Sequence, residues 1–134
     1  MQHLPGFPSL ARAALVVVGL SAAAAAAPTV APVDDLRAGQ TGYGLTVFSG
    51  SEPDTFGVTV LGVRAASRVD GDMILVELSG HGLERSAVAR GMSGSPVYLD
   101  DGRLIGAVAF GWPGALRPIA GLTPAADLEA ARTR

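Results

Sequence analysis

The residues with the clearest chemical content are Gly91-Met92-Ser93-Gly94-Ser95-Pro96. A serine hydroxyl becomes a useful nucleophile only when a base takes its proton. Acyl transfer also needs backbone N–H groups aimed at the oxygen that gains charge. A glycine two residues before the serine, with the serine itself, can supply two such donors from one bend of chain. Gly91 and Ser93 have that spacing. Gly94 lets the chain turn without a Cβ clash. Pro96 opens an apolar strand where a missing N–H does least harm. Ser93 is therefore the candidate nucleophile and Gly91 a candidate oxyanion donor. Met92 is apolar, so the turn is expected to be held by packing and not by a buried ion pair. The plain alternative is a Gly/Ser loop between two strands.

A base is harder to find. The chain has two histidines, and His3 lies in the N-terminal segment. That leaves His81 as the candidate base, in the loop Ser79-Gly80-His81-Gly82, twelve residues before Ser93. The alternative for His81 is a loop-tip residue in solvent. Asp70, Asp72, Glu77 and Glu84 are available carboxylates, but no spacing marks one as the partner that orients a histidine. Asp100 and Asp101 read most simply as turn residues. One histidine and scattered acids do not converge on a metal. With no cysteine, a disulfide framework, a thiolate zinc site and a cysteine nucleophile are excluded. No cofactor is expected.

The elements that must position these residues are short. Residues 42–50 are rich in strand formers and end in Ser-Gly, and residues 51–54 are turn chemistry. Residues 55–63 alternate, with Phe56, Val58 and Val60 on one side. Residues 67–72 read as a turn, 73–78 as a strand of the buried type and 79–86 as a loop. Residues 96–112 read as a hairpin turning at Asp101-Gly102. Residues 117–122 suit a further strand. Thr123 is placed to cap a helix running to Arg132, with Pro124 at its first position. Strands about ten residues apart, with no long helical pattern, predict an all-β sandwich or small barrel with a short C-terminal helix.

Composition narrows the class. The chain has 134 residues, room for one domain, and is 49% hydrophobic and 16% charged, which suits a compact fold. A net charge of −2 favours neither nucleic acid nor an anionic membrane. Arg12 precedes the apolar run of residues 13–27, whose end is built of alanines. A positive flank, a short apolar core and small residues describe a helical secretory signal peptide over residues 1–27. The run is short for a membrane-spanning helix, which needs about 20 residues. The domain is thus expected over residues 28–134, beginning with a Pro/Ala linker (28–32), and exported to the periplasm, cell envelope or medium. Membrane association is expected only if the N-terminal segment stays uncleaved.

Residues 42–63, the block from Arg90 through Trp112, and Pro118-Ile119-Ala120-Gly121-Leu122-Thr123-Pro124-Ala125-Ala126-Asp127-Leu128 together resemble the SpoIVB-type serine peptidase domain of secreted bacterial proteins. The resemblance covers about Val33 to Leu128. It implies a chymotrypsin-related β-barrel, Ser93 on the family's nucleophile and a peptide or protein substrate. Several features depart from the pattern. The family's histidine falls near Val63, which cannot accept a proton. In two-barrel peptidases of this plan the histidine comes from a preceding barrel, and about 110 residues are too few for two. No counterpart of the PDZ domain of the sporulation peptidase is seen, and larger relatives continue past the helix, so the chain resembles the front portion of a bigger protein. A peptidase-derived, non-catalytic module that binds a peptide strand along an apolar edge such as Phe56 to Val63 is the alternative function.

Overall fold

The computed structural model describes residues 26–65, 71–86, 88 and 91–134. The expected signal peptide (residues 1–27) falls almost wholly outside the described residues, as does most of the turn expected at 67–72. Six antiparallel strands form a closed barrel: β1 (Thr41–Thr46), β2 (Asp54–Arg64), β3 (Met73–Ser79), β4 (Pro96–Leu99), β5 (Leu104–Gly111) and β6 (Ile119–Pro124). A single turn of helix, α1 (Leu83–Ser86), lies between β3 and β4, and α2 (Ala125–Arg132) follows β6. Of the two all-β architectures the turn spacing predicts, sandwich or small barrel, the chain takes the barrel, with the expected short C-terminal helix.

Going round the barrel the order is β1-β2-β3-β6-β5-β4. The neighbours β4-β1-β2-β3 make a Greek key. The β5–β6 hairpin fills the gap between β3 and β4. Alternation puts Phe56, Val58 and Val60 inside, as expected, with Ile74, Val76 and Leu78 beside them from β3 and Val97, Leu99, Ile105 and Leu122 from the far wall. The predicted hairpin is present: the Gly102 N–H donates to the Leu99 carbonyl at 2.9 Å, and Gly102 takes a φ of +87°. Register shifts between Val60 and Gly62, Val97 and Tyr98, and Val108 and Phe110 add the local bends that closing a small barrel requires. Gly44 stands opposite Phe56, whose ring occupies the space that a Cβ on Gly44 would need.

Four expectations need correction. Residues 73–78 are not buried on both faces: Met73, Leu75 and Glu77 are only half-buried, because a lone barrel has solvent outside. Thr123 does not cap α2. It still belongs to β6, the cap position is Pro124, and no side chain bonds the helix's first N–H groups. Residues 79–86 include the α1 turn, with Leu83 buried. Residues 28–32 are more than a linker. Leu104 donates to the Thr29 carbonyl and accepts from the Ala31 N–H, both at 2.9 Å. Ala31 and Leu36 join the core, so this strap closes one end of the barrel.

Candidate functional site

The registers fix which loops share a rim. Thr46 pairs with Asp54, Gly57 with Ser79, Pro96 with Ala107 and Gly111 with Ala120. The loops after β1, after β3 and after β5 therefore all open at one end of the barrel. Ser93 and His81 are both on this rim.

The serine turn is tightly specified. The Ser95 N–H donates to the Met92 carbonyl at 3.0 Å, closing a four-residue turn with Ser93 and Gly94 at its centre. Gly94 takes φ +87°, the sign a type II turn needs at its third residue and that a side chain resists. The turn is stitched to β5: the Gly94 N–H donates to the Val108 carbonyl at 2.7 Å, and the Val108 N–H donates to the Ser95 carbonyl at 3.0 Å. From below it is held by Met92, which is only 2% exposed and part of the core. Packing does fix the turn, as the apolar residue between Gly91 and Ser93 implied. Ser93 itself is exposed at the corner. Gly91 has φ +98°. No hydrogen bond to another described residue occupies the N–H of Gly91 or of Ser93, or the Ser93 hydroxyl.

Beside the turn lies a cleft of about 510 Å³, a size that suits a ligand or substrate side chain. Gly91 and Ser93 line one wall. Ser86, Val88 and the outgoing end of β5 with its loop, notably Phe110, Gly111 and Trp112, line the rest. No charged side chain lines it among the described residues. β4 and β5 pair only as far as Ala107, with Val108 bonded to the serine turn, so the β5 backbone from Ala109 to Gly111 continues past its β4 partner into this cleft. The sequence reading missed Phe110 and Trp112. The available signal was the chain's one tryptophan, set at a strand end before Pro113-Gly114.

His81 is held elsewhere on the rim. Its Nε2 lies 2.9 Å from the Thr55 carbonyl and 3.3 Å from Asp54 Oδ2, so Nε2 carries a proton and donates. Its ring stacks on Phe48 with centroids 4.2 Å apart. A backbone in the left-handed region (φ +52°), between Gly80 and Gly82 that are also left-handed, sets this pose. Glu84 secures the loop by accepting the Gly80 N–H at 2.8 Å, a bond that pulls its carboxyl below the usual range. His81 is an exposed loop residue, as its alternative reading had it, but its bonds to Thr55 and Asp54 and its stacking on Phe48 hold the ring in place. It is not among the residues lining the Ser93 cleft. Its anchor strand β2 is separated from β4 by β1, two strand spacings or about 10 Å. The structure thus joins Gly91 to Ser93 in one cleft and ties His81 to Asp54, Thr55 and Phe48. Val63, the position at which the resemblance would place a histidine, lies on β2 packed against the core.

The arrangement puts Gly91 and an exposed Ser93 together on the wall of one cleft. Among the described residues no group of His, Asp and Glu is placed to hold a metal ion. No protein-family model matches the chain, and no curated protein matches it.

Proposed function

We propose that this chain is a SpoIVB-like serine peptidase domain that acts on a peptide or protein substrate after export. Ser93 Oγ attacks the peptide carbonyl, the Gly91 and Ser93 N–H groups receive the oxygen that gains charge, and the apolar cleft takes a neighbouring substrate side chain. The observation that carries this reading is an exposed serine on a Gly-Met-Ser-Gly turn pinned to β5 and Met92 beside a cleft of about 510 Å³. A closed antiparallel barrel is also what the resemblance implies.

The hydroxyl proton needs an acceptor, and His81 is committed to Asp54 and Thr55. A site with an oxyanion hole but an incomplete triad keeps about 10³–10⁴-fold catalysis over water. The free-standing chain is therefore expected to be a slow hydrolase. The test is labelling by a fluorophosphonate probe, which reacts with an activated serine. Slow labelling of the wild type and none of Ser93→Ala supports the reading. Absence of labelling at high probe concentration overturns it.

The position of His81 favours one other reading: a peptide-binding module that has kept the peptidase scaffold without its chemistry. Most of Phe56 to Val63 is not a free edge, because β2 is paired with β3 along its length and with β1 as far as Thr59, which leaves only Leu61 to Val63 extending past β1. The Ser93 cleft is where such a module would bind. Peptide binding without labelling or hydrolysis would favour this reading.

A further inference from the structure

The Ser93 cleft has a neighbour. A second cavity of about 470 Å³ is lined by Leu75, Ala115 and Ile119 on one side and by Trp112, Pro113 and Gly114 on the other. Trp112 to Gly114 also line the Ser93 cleft. One short stretch of the β5–β6 loop is thus the common wall between two cavities, and no charged side chain lines either among the described residues. Trp112 is 43% exposed and Phe110 51% exposed, so both offer apolar surface at the cavities.

We propose that the site selects an extended peptide carrying two apolar side chains two residues apart, one seated beside Ser93 and the other beyond the Trp112–Gly114 wall. This rests on the reading of Ser93 and its turn amides as the place where a peptide carbonyl docks. Side chains at i and i+2 of an extended peptide point the same way and stand about 7 Å apart, the relation needed to straddle a single wall. A charged side chain at either position would lose water and find no charged partner among the described lining residues. Gly111 sets the width of the first cavity. Its φ is not left-handed, so a side chain there is not barred by the backbone, but a Cβ would come within 3.0 Å of the Val88 Cβ. Gly111→Ala therefore narrows the cavity and leaves the second untouched.

The probes are acetylated, amidated pentapeptides: Ala-Phe-Ala-Phe-Ala, the two single-Phe versions, and versions with Asp or Arg in place of one Phe. Emission of Trp112, the chain's one tryptophan, reports binding directly. The titration uses the Ser93→Ala chain, so no turnover interferes. The double-Phe peptide is expected to bind about tenfold more tightly than either single-Phe peptide, which is about 1.4 kcal/mol, and the Asp and Arg versions more weakly still. Gly111→Ala is expected to weaken the double-Phe peptide to the level of a single-Phe one, with its far-UV spectrum and unfolding midpoint confirming the fold. Equal affinity for the charged peptides, a preference for them, or no change in Trp112 emission up to millimolar peptide would overturn the proposal. Selective binding with no fluorophosphonate labelling would keep it while removing the catalytic reading. Labelling without selectivity would do the reverse.

Discussion

Replacing Met92 by alanine tests the physical basis of the site without touching Ser93. Met92 is 2% exposed and links the serine turn to the barrel core. Truncating a buried Met to Ala costs about 2–5 kcal/mol, counting lost burial and the space left behind. Here the turn sits on a rim between Gly91 and Gly94 and can settle inwards, which places the cost near the lower end, about 2–3 kcal/mol. For a small domain with a urea dependence of about 1 kcal/mol per molar, the unfolding midpoint should fall by about 2–3 M. The turn loses its support from below, so fluorophosphonate labelling of Ser93 should slow at least tenfold under conditions where the variant is still folded. Met92→Leu keeps most of the volume and should cost less than about 1.5 kcal/mol. A midpoint shift below about 0.5 M for Met92→Ala, with labelling unchanged, would refute the view that packing under the turn positions the hydroxyl.

Gly44→Ala drives a Cβ into the ring of Phe56, itself 2% exposed, and should cost about 3 kcal/mol or more, lowering the thermal midpoint by over about 10 °C. His81→Ala should change Ser93 labelling less than about twofold, since His81 is bonded to Thr55 and Asp54; a hundredfold drop would instead identify it as the base. Asp101 accepts the Arg103 N–H at 3.0 Å and its Nε at 2.9 Å, which holds its carboxyl below the usual range. A depressed folded-state value means stabilisation that is complete above the unfolded value, about 3.9, and lost as pH falls through the folded one. Urea midpoints of wild type and Asp101→Asn should therefore differ at neutral pH and converge as pH falls below the unfolded value; a gap that widens in acid would contradict this.

Local features of the fold were legible because they rest on neighbouring residues. Phe56, Val58 and Val60 declare their inner face by alternation, and Asp101-Gly102 declares its turn by chemistry. The serine turn was readable for the same reason: Gly94 and Pro96 act within a few bonds of Ser93. Closure of the barrel was not readable. It depends on β1 meeting β4 and β3 meeting β6, pairings such as Gly42 with Leu99 that no local pattern encodes. That is why Phe56 to Val63 looked like an edge. The place of His81 was hidden similarly, since Thr55 and Phe48 reach it from far along the chain. Thr123 misled because a good cap residue also suits a strand, and β6 claims it through its pairing with Ala107. The cleft was hidden because its walls come from three separate stretches, of which the sequence singled out only one.

The closed order β1-β2-β3-β6-β5-β4 has a kinetic consequence. The first three strands form a meander of near neighbours that can pair as soon as they are synthesised, but both its margins stay unsatisfied until the last three arrive. The two seams must then zip over long stretches of chain, and the corner bearing Ser93 takes its shape only as β4 docks on β1 and β5. A nascent or partly unfolded chain thus carries an unshaped serine and two adhesive margins. Reactivity at Ser93 and escape from aggregation should appear together, late, in a single step of maturation.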